Sequence, residues 1–561
     1  MPVDWHSNLN VSPLLGKILW ARGFNDLDSA NQYINAPLNK LTPPAQWPQI
    51  PKAAEILTKG LLQGKKLAVW GDYDADGVTS TSLVLDVLQF HGFNIEHHLP
   101  DRTREGYGLN RDNIEKLAEK GVNLLLTVDC GISNNEIIEH AGKLGIQIIV
   151  SDHHLPGETL PPAEAIVDPR IQNAGSWPCV NLAGVGVAFY LMAQVNALLA
   201  PHTGRRFKMD NVLDLVALGT LADVMELVGE NRILVRAGLK RLERSSRPGI
   251  SALKEKCGLS VSDRLNSEQA VFLLAPRINA AGRMGHPQLA LDLLRCKDLD
   301  LAKSFALDLN ECNQRRKDTE NAVFNLAMAQ AMEQMEKWDP AAIVVAGEGW
   351  HTGIIGIVAS RLVESFNRPA LVLSAANDML SGSGRSLQGV DLHAALEECK
   401  EYLSGFGGHS MAAGLRLGKN RLEKFRAAFN EAIKEQLELR PLEQIIELDA
   451  ELGFDLASRL DFIQELELME PFGPGNPAPV FASPPLRVQN RSFLGSRTDC
   501  VKLDLKDLSN GISLPAKVWR RAEDFPSSLV GREIRIAYTP SINTWNGSKN
   551  VELTPLDWHK N

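Results

Sequence analysis

The chain has 561 residues, of which 44% are hydrophobic and 23% are charged, with a formal net charge of −9. This composition is typical of a globular protein of roughly three to four domains at ~150 residues each, and it argues against a protein coated in basic surface. Seven scattered cysteines without a C-x-x-C pair argue against a disulfide framework or a cysteine zinc site, and they fit a reducing cytosol.

The N-terminal sequence "MPVDWHSNLN" has neither the basic residues nor the hydrophobic stretch of a secretory signal peptide. No apolar run in the sequence approaches the ~20 residues of a membrane span. We therefore expect a cytoplasmic protein that is not exported and does not enter a membrane.

Short apolar runs alternate with helical patterns through the first third of the chain. "KLAVW" precedes "VTSTSLVLDVLQFHG", "VNLLLTV" precedes "SNNEIIEHAGKLG", and "IQIIV" follows. Strands that alternate with helices predict a doubly wound parallel sheet in an α/β lobe, which we assign to residues 1–300 together with the N-terminal segment.

Acidic and imidazole side chains follow each of these predicted strands. They are Asp72, Asp74 and Asp76 after the first run, Asp129 after the second, and Asp152, His153 and His154 after the third. Because the carboxyl ends of parallel strands lie at one edge of a sheet, we expect these side chains to meet there. Asp223, in or at the end of a helical pattern in "VALGTLADVMEL", is a further candidate.

This set of side chains favours a metal site. An acidic loop is also typical of turns and helix N-caps, and a histidine pair is also typical of ordinary loops. Acids from three adjacent strands, however, would repel one another without a cation. Carboxylates with an imidazole suit Mn²⁺ or Mg²⁺ better than zinc, and two such ions can activate a water and clamp a phosphoryl group.

A long helical pattern and a smaller lobe come next. "QRRKDTENAVFNLAMAQAMEQMEKW" predicts a helix that connects two lobes, assigned to residues 301–338. "AAIVVAG" and "PALVLS" predict a smaller α/β domain over residues 339–440. Its Gly-rich loops "SGSGRS" and "GFGGHS" contain Arg385 and His409. Such loops are either turns or phosphate contacts.

The Pro/Gly-rich passage "EPFGPGNPAPVF" marks a boundary before a run of short predicted strands, so we expect a small β-barrel within residues 441–561. Between Arg487 and Arg535 there are ten Lys and Arg residues against six Asp and Glu, a net charge of +4. Such a barrel suits single-stranded nucleic acid if Trp519 is exposed and stacks on a base. If Trp519 belongs to the barrel core, that contact is lost.

Several motifs together carry a family resemblance. "GDYDADG", "TVDCG", "SDHH" and "LGTLADV", in this order, resemble the four motifs of the DHH phosphoesterase superfamily. "REGYGLN", "APRINAAGRMGHP", "GEGWHTGIIGIVASRL", "SGSGRS" and "GFGGHSMAAGL" further resemble its bacterial RecJ exonucleases, over nearly the whole chain. The resemblance implies a DHH lobe, a DHH-associated lobe that holds the substrate strand, and an OB-fold.

The resemblance also implies roles for individual residues. The implied metal ligands are Asp72, Asp74, Asp76, Asp129, His153 and Asp223. Asp129 bridges two ions, and Asp72 is either a ligand or a group that orients the ligands. His154 faces the scissile phosphate, where it stabilises charge or assists proton transfer, and Asp152 orients the histidines. The residues expected to contact the substrate are Arg277, Arg283, Arg385, His409 and Trp519.

The implied function is a divalent-metal-dependent exonuclease that degrades single-stranded DNA from the 5′ end to mononucleotides in recombination and repair. Implied partners are single-stranded-DNA-binding protein and a recombination helicase, and we expect a monomer. Two alternatives stay open: a phosphoesterase that acts on short oligoribonucleotides or nucleotides, and a non-catalytic nucleic-acid-binding scaffold. A scaffold would have lost metal ligands, whereas this sequence keeps all of them.

Overall fold

A parallel sheet lies at the centre of the first lobe. In the computed structural model its strands are β1 (Leu67–Gly71), β2 (Glu96–His98), β3 (Leu124–Val128), β4 (Gln147–Ser151) and β5 (Ala165–Val167). Their order is β2-β1-β3-β4-β5, and every pairing is parallel, which confirms the predicted sheet. The structure describes the whole chain except residues 1, 3, 103, 172–176, 261–262, 440–444, 495–496, 520, 546–547 and 561.

Helices cover both faces of this sheet. Successive side chains of β1 alternate between the faces: Leu67 and Val69 join one buried cluster, whereas Ala68 and Trp70 join another. The helices of this lobe are Ile50–Leu62, Ala75–Phe90, Arg111–Glu119, Asn135–Lys143, Gly184–Thr203, Leu213–Ala222, Gly229–Glu243, Pro248–Lys256, Ser267–Gln269, Ala270–Leu274, Ala275–Arg283 and Pro287–Arg295. The segment Ala270–Leu274 is a single π-helical turn.

One of these helices has the length and composition of a membrane span. Within the described residues it is Gly184–Thr203, and 67% of its apolar stretch is buried inside the protein. The sequence shows no continuous run of large apolar residues of this length, because alanines, glycines and an asparagine interrupt it. Its buried residues pack with β3 and with the helix Ala75–Phe90, as expected for a core helix.

A single helix, Leu299–Trp338, joins the first lobe to the second. Its 40 residues extend over roughly 60 Å at ~1.5 Å per residue. The side chain of Asp298 caps its first turn by accepting a hydrogen bond of 2.8 Å from Leu301 N. The N-terminal half of the helix packs in the first-lobe core through Ala306, and its C-terminal half packs in the second lobe through Ala327. The two lobes therefore share one rigid element.

The second lobe is a smaller mixed sheet covered by helices. Its strands are β6 (Ile343–Glu348), β7 (Ala370–Ala376), β8 (Met379–Arg385), β9 (Gly405–Gly408) and β10 (Ala412–Gly418), in the order β6-β7-β8-β10-β9. Only β6 and β7 are parallel. The helices are Ile355–Phe366, Leu392–Glu398 and Leu422–Leu439. The smaller α/β lobe predicted from the sequence is thus present.

The C-terminal region is a β-barrel. Its strands are β11 (Ala450–Glu451), β12 (Phe481–Ala482), β13 (Leu486–Leu494), β14 (Arg497–Asp507), β15 (Ser513–Trp519), β16 (Glu533–Trp545) and β17 (Ser548–Lys560). β17 pairs with both β15 and β16, which closes the sheet. Two short helices, Phe454–Ala457 and Leu460–Leu466, lie between β11 and β12.

The N-terminal helices pack against this barrel. They are Trp5–Asn8, Pro13–Ala21 and Leu27–Asn35. Leu15, Ile18 and Leu19 are fully buried in the same cluster as the barrel residues Leu486 and Val501. The barrel core therefore depends on residues from both ends of the chain.

The Pro/Gly-rich passage, residues 470–481, follows β11 and ends at the first residue of β12, so it is inside the barrel region and does not mark the boundary that the sequence predicted. Asn476 donates hydrogen bonds from its buried amide to the carbonyl oxygens of Met469 and Pro471, at 2.9 and 2.7 Å. Leu227 N donates to Pro474 O at 2.7 Å. The passage thus fixes the barrel region to the first lobe at the end that carries Asp223.

Candidate metal centre

Three strand ends and one helix end place acidic side chains around one point. Asp72, Asp129 and Asp152 directly follow β1, β3 and β4, which are neighbours in the sheet. Asp223 follows the last residue of the helix Leu213–Ala222. This is the arrangement expected for the carboxyl edge of a parallel sheet.

A first group of ligand atoms surrounds His153. Its Nε2 lies 3.0 Å from Asp129 Oδ1, 3.6 Å from Asp223 Oδ2 and 3.7 Å from Asp76 Oδ2. The ligand atoms of Asp76, His153 and Asp223 all lie within 4.8 Å of one another. One divalent ion can therefore contact all three side chains.

A second group lies next to the first and contacts it through Asp129, whose Oδ1 is 3.0 Å from His153 Nε2. Asp72, Asp74 and Asp129 each offer a carboxylate oxygen within 4.8 Å of the other two. Asp129 also forms such a group with His153 and His154. Asp129 therefore occupies the position from which one carboxylate can contact two ions.

The polar atoms of the site fit a bound cation. Asp72 Oδ1, Asp129 Oδ1 and both ring nitrogens of His153 are buried, and among the described atoms none of them makes a contact with hydrogen-bond geometry, although His153 Nε2 lies 3.0 Å from Asp129 Oδ1. Burial, and after it the neighbouring carboxylates, raises the pKa of Asp76 to about 7 and raises the pKa values of Asp72, Asp129 and Asp223 well above the usual range. A divalent ion would offset this repulsion.

The electrostatics of His153 differ from those of its acidic neighbours. Burial, and after it the adjacent His154, lowers the pKa of His153 to about 3. The imidazole is therefore neutral at physiological pH, the form that binds metals. Oxygen donors with a single neutral imidazole suit Mn²⁺ or Mg²⁺.

Helix N-termini hold two of the acids in place. Asp74 is the N-cap of the helix Ala75–Phe90, and its Oδ1 accepts hydrogen bonds from Asp76 N and Gly77 N at 2.9 and 3.1 Å. Asp76 accepts hydrogen bonds from the first residues of the helix Gly184–Thr203, at 2.6 and 2.8 Å. The N-cap and metal interpretations of the acidic loop are thus compatible.

The backbone at the bridging position is strained. Asp129 has a φ of 62°, a conformation that costs free energy for most residues and that Asp and Asn tolerate better. At Gly184 an added Cβ would collide with the Asp129 side chain, so the glycine lets the helix approach that carboxylate closely. Strain of this kind is concentrated at functional sites.

His154 is oriented by two neighbours. Its Nδ1 lies 2.8 Å from Asp152 Oδ1 and 3.1 Å from the Tyr107 hydroxyl. Asp152 is fully buried, and its Oδ2 accepts a hydrogen bond from Ile132 N at 2.9 Å. Burial opposes protonation of His154, but the hydrogen bond and charge of Asp152 outweigh it and raise the pKa of His154 to about 9. A protonated imidazole therefore faces the cavity above the acids.

Arginines complete the cavity. Arg102 and Arg283 line it together with Asp72, Asp74 and His154, and its volume is about 360 Å³. Burial, and after it the charge of Arg102, lowers the pKa of Arg283 to about 10. Arg283 Nη1 donates to Gly353 O of the second lobe at 2.9 Å, and Arg385 Nη1 donates to Gly384 O at 2.7 Å. Among the described residues, neither Arg283 nor Arg385 has a carboxylate within 4 Å. These guanidinium groups are placed to bind an anion.

Two residues of this cavity were not selected in the sequence reading. Arg102 and Tyr107 lie in the loop between β2 and the helix Arg111–Glu119. Tyr107 belongs to the string "REGYGLN", residues 104–110, which contributes to the family resemblance but shows no periodicity, and Arg102 lies just before that string. Their roles depend on how this loop folds over the sheet edge.

The remaining candidates lie at different distances from the cavity. Arg277 donates to Leu273 O at 2.6 Å and to Asn310 Oδ1 at 3.1 Å, towards the connecting helix, and it does not line the metal cavity. Partial burial, and after it the charge of His154, lowers the pKa of His409, which does not line the metal cavity. Trp519, the last residue of β15, is 47% exposed, so it is not a core residue.

Most basic side chains of the barrel have acidic partners. The pairs are Arg487–Glu533, Lys502–Asp504, Lys517–Glu552, Arg521–Asp524 and Arg535–Glu451, at 2.5 to 3.7 Å. Glu533, Asp504 and Asp524 are already included in the net charge of +4, so only Glu552 and Glu451 offset that charge further.

Three protein-family models match separate parts of the chain. The DHH family N-terminal domain matches residues 66–220, the DHHA1 domain matches residues 339–435, and the RecJ OB domain matches residues 448–557. These matches coincide with the parallel-sheet lobe, the second lobe and the barrel. The expected OB-fold is thereby confirmed.

Curated relatives match over nearly the whole chain. The single-stranded-DNA-specific exonuclease RecJ of Bacillus subtilis is 35% identical over 551 residues, 98% of this chain and 68% of the relative. The protein of the same name from Escherichia coli is 35% identical over 559 residues, 97% of this chain and 95% of the relative. A crystal structure of RecJ from Thermus thermophilus in complex with Mn²⁺ is 30% identical, with a TM-score of 0.83 over 100% of this chain and 78% of that chain.

Proposed function

This chain belongs to the RecJ family of single-stranded-DNA-specific exonucleases, and from that membership we propose that it hydrolyses single-stranded DNA from the 5′ end to 5′-mononucleotides. The reaction uses two divalent ions, Mn²⁺ or Mg²⁺. The observation that carries this proposal is the position of Asp129, which forms a group of ligand atoms with Asp72 and Asp74 and whose Oδ1 also lies 3.0 Å from His153 Nε2 of the other group.

The donor atoms divide between two ions. Asp76, His153 and Asp223 would hold one ion, Asp72 and Asp74 would hold the other, and Asp129 would contact both. When bound, the ions supply an activated water and neutralise charge on the scissile phosphate. Backbone N–H groups at helix N-termini donate hydrogen bonds to Asp74 and Asp76 and hold these carboxylates in position to bind the ions.

The residues around the ions position the substrate and move protons. His154, held by Asp152 and Tyr107, can donate a hydrogen bond to a phosphate oxygen or a proton to the departing oxygen. Arg102, Arg283 and Arg385 bind phosphate oxygens of the strand end. His154 therefore acts on the reacting atoms, whereas the arginines position the strand.

The proposed division of the chain follows these roles. Residues 1–300 contain the metal centre, residues 301–338 connect the lobes, residues 339–440 hold the substrate strand, and residues 441–561 bind the strand further from the metals. Helices within the first 35 residues belong to the barrel core by packing. We assign them a structural role in that last unit.

For the cellular setting, we propose action as a cytoplasmic monomer in DNA recombination and repair. Single-stranded-DNA-binding protein and a recombination helicase are the proposed partners, because they produce and cover the strands that this family degrades. Sedimentation of the pure protein measures its mass, and co-sedimentation with each partner measures binding. A stable dimer, or no binding to either partner, would contradict this part of the proposal.

The proposed activity has a direct assay. Purified protein is incubated with 5′-labelled single-stranded and duplex DNA, with Mn²⁺ and with chelator. We expect rapid release of labelled mononucleotide from the single strand in Mn²⁺, little release from the duplex, and none with chelator. Equal degradation of both DNAs, or degradation in chelator, would contradict the proposal.

Substitutions in the second lobe should affect strand positioning more than chemistry. Arg385→Ala or His409→Ala is expected to lower kcat/KM on single-stranded DNA by about 10-fold or more, because each removes a contact to the strand. Hydrolysis of bis(p-nitrophenyl) phosphate, which is too small to cross the cleft, should change far less. Steady-state kinetics on both substrates measure the difference.

Arg416→Ala is the matched control, because Arg416 is an exposed arginine on β10 of the same sheet. It should change neither rate. Equal losses on DNA and on the small diester in the two test variants would place Arg385 and His409 in the chemical step instead.

The barrel should contribute affinity through its exposed aromatic ring. Trp519→Ala is expected to weaken binding of long single strands by about 1–3 kcal/mol, the usual contribution of one stacked base. The melting temperature should change little because the ring is half-exposed. Fluorescence anisotropy with labelled DNA measures affinity, and calorimetry measures the melting temperature.

The control for this prediction is Trp338→Ala, at the exposed end of the connecting helix, where the ring is 53% exposed. DNA affinity should not change in this variant. A lower melting temperature with unchanged affinity in Trp519→Ala would indicate a structural role for the ring. Deleting the barrel is a poorer experiment, because it would uncover the apolar faces of the N-terminal helices.

A further inference from the structure

A second cavity lies next to the metal cavity and shares one residue with it. Its volume is about 290 Å³, and its apolar walls come from three parts of the chain. The shared residue is Val224, which follows the candidate ligand Asp223 directly. Val224 therefore separates the metal centre from this second cavity by the width of one side chain.

Val224 has an unusual conformation for its residue type. It is β-branched, its φ is 57°, and it is 62% exposed. This position ends the helix Leu213–Ala222, where glycine is the usual residue because a side chain at positive φ is strained. A strained, exposed apolar residue at the edge of a candidate active site indicates a contact role for that side chain.

Phe272 lines the same cavity, and it too is exposed at a local irregularity of the backbone. It is 65% exposed and lies on the π-helical turn Ala270–Leu274. Pro276 follows within the same helical run and has no N–H to donate to the carbonyl of Phe272, which explains the irregular turn. Turns of this kind are common at functional sites.

The third wall is the Pro/Gly-rich passage, and hydrogen bonds fix it. Ser267 Oγ donates to Phe472 O at 2.6 Å, and Leu227 N donates to Pro474 O at 2.7 Å. The cavity is therefore preformed and does not require a loop to close. It lies between the metal centre and this passage of the barrel region.

The charges of the cavity select its occupant. Its charged lining residues are Glu268 and Glu470, the latter paired with Arg264 at 3.0 Å, and no described lysine or arginine lines it, in contrast to the metal cavity with Arg102 and Arg283. The described lining therefore offers no cation to bind a phosphate group, whereas its apolar side chains would accept an uncharged aromatic group. An exposed phenylalanine and a valine offer flat apolar contacts of the kind on which bases stack.

We propose that this cavity binds one nucleobase of the substrate strand, stacked on Phe272 and in contact with Val224, while the adjacent phosphate lies at the metals. The inference rests on the proposed function, because it places a base of the degraded strand. Stacking accepts every base, so the subsite would hold the strand in register without selecting sequence. Phe272 is thus a positioning residue for the scissile phosphate.

A double-mutant cycle, in which one change is made in the protein and the other in the substrate, tests this contact. The substrates are 5′-phosphorylated single strands, either intact or with one abasic nucleotide at successive positions from the 5′ end. For the wild-type protein, we expect one position near the end at which loss of the base lowers kcat/KM for the first cleavage by roughly 5- to 150-fold. Phe272→Ala should cause a similar loss on the intact strand.

The decisive result is the combination. With Phe272→Ala, removal of the base at that position should cause no further loss, because the two changes delete the same contact. Phe272→Trp should restore the sensitivity. Additive losses, or no sensitive position in a wild-type protein that degrades the intact strand, would overturn the base subsite and leave the proposed function standing.

Two further measurements separate a local effect from a general one. Phe90→Ala removes another exposed ring of the first lobe, 41% exposed, and should behave as wild type on every substrate. The melting temperature of Phe272→Ala should match that of the wild type, because most of the ring is in solvent. If the wild-type protein fails to degrade the intact strand at all, the proposed function fails rather than the subsite.

Discussion

Asp129→Asn is expected to lower kcat/KM on single-stranded DNA by more than about 100-fold. Asp129 belongs to the group with Asp72 and Asp74, and its Oδ1 lies 3.0 Å from His153 Nε2 of the other group, so the substitution should weaken the binding of both ions at once. Changes to groups that merely orient metal ligands already cost ~10–100-fold. Asparagine keeps the size of the side chain and tolerates the positive φ at this position, so the backbone should not change.

Although it lowers activity, the same substitution should leave the metal-free protein equally stable or make it more stable. Without a cation, burial and like charges raise the pKa values of Asp129 and Asp76, the latter to about 7. An acid with a raised pKa contributes stability that is fully present below its unfolded pKa and is lost as the pH rises through its folded pKa. For Asp76 this loss extends from about pH 4 through about pH 7.

At pH 8 in chelator, Asp129→Asn should therefore melt at the same temperature as the wild type or higher, because it removes one repelling charge. In saturating Mn²⁺ the order should reverse, since ligand binding stabilises the wild type by about 2.7 kcal/mol at 100 times the Kd. Calorimetric melting with and without Mn²⁺ measures both. Asp112→Asn, at an exposed position of the helix Arg111–Glu119, is the control and should change neither value.

A variant that melts far below the wild type in chelator would indicate a structural role for Asp129. Full activity in Asp129→Asn would remove it from the metal centre. Either result would require a different assignment of the acids at the strand ends.

His154→Ala should separate metal binding from turnover. We expect kcat on single-stranded DNA to fall by roughly 10²- to 10⁴-fold, the usual contribution of a positioned acid or base. Metal affinity should change little, because the carboxylates and His153 supply the ligand atoms. Single-turnover kinetics measure the chemical step, and isothermal titration calorimetry with Mn²⁺ measures the affinity.

His140→Ala provides the matched control. His140 also lies in the first lobe and contacts an acid, with its Nε2 2.9 Å from Glu115 Oε1, but it is remote from the cavity. It should retain full activity. Tyr107→Phe, which removes the hydroxyl next to His154, should give a smaller loss of kcat than His154→Ala. Lost Mn²⁺ binding in His154→Ala would instead make His154 a ligand.

The metal centre could be predicted because most of its residues closely follow the predicted strands. Asp72, Asp129 and His153 each follow a short apolar run, and the topology of a parallel sheet brings the ends of such runs together. No knowledge of long-range packing was required. For the same reason the sheet, the connecting helix and the barrel followed from periodicity alone.

Contacts made by irregular segments could not be anticipated. Arg102 and Tyr107 reach the cavity from a loop whose path is set by packing rather than by periodicity. The packing of the N-terminal helices against the barrel joins residues more than 400 positions apart, and no local pattern names such a partner. The composition of the Pro/Gly-rich passage predicts a break in regular structure, but it does not predict the hydrogen bond from Leu227 N to Pro474 O.

The different directions of Arg277 and Arg283 could have been predicted from their spacing in the sequence. It lies six residues before Arg283 on the helix Ala275–Arg283, and at ~100° per residue the two side chains point about 120° apart. They therefore could not both face one cavity. The structure places Arg283 at the metal cavity and directs Arg277 towards Asn310. A helical projection of "APRINAAGR" separates the two.

The most direct test is the anomalous scattering of Mn²⁺ in crystals of the wild-type protein. We expect two peaks about 3.5–4 Å apart, both in contact with Asp129, with His153 on one of the two ions. A single peak, or peaks that do not contact Asp129, would contradict the two-ion centre on which the proposed hydrolysis of single-stranded DNA depends.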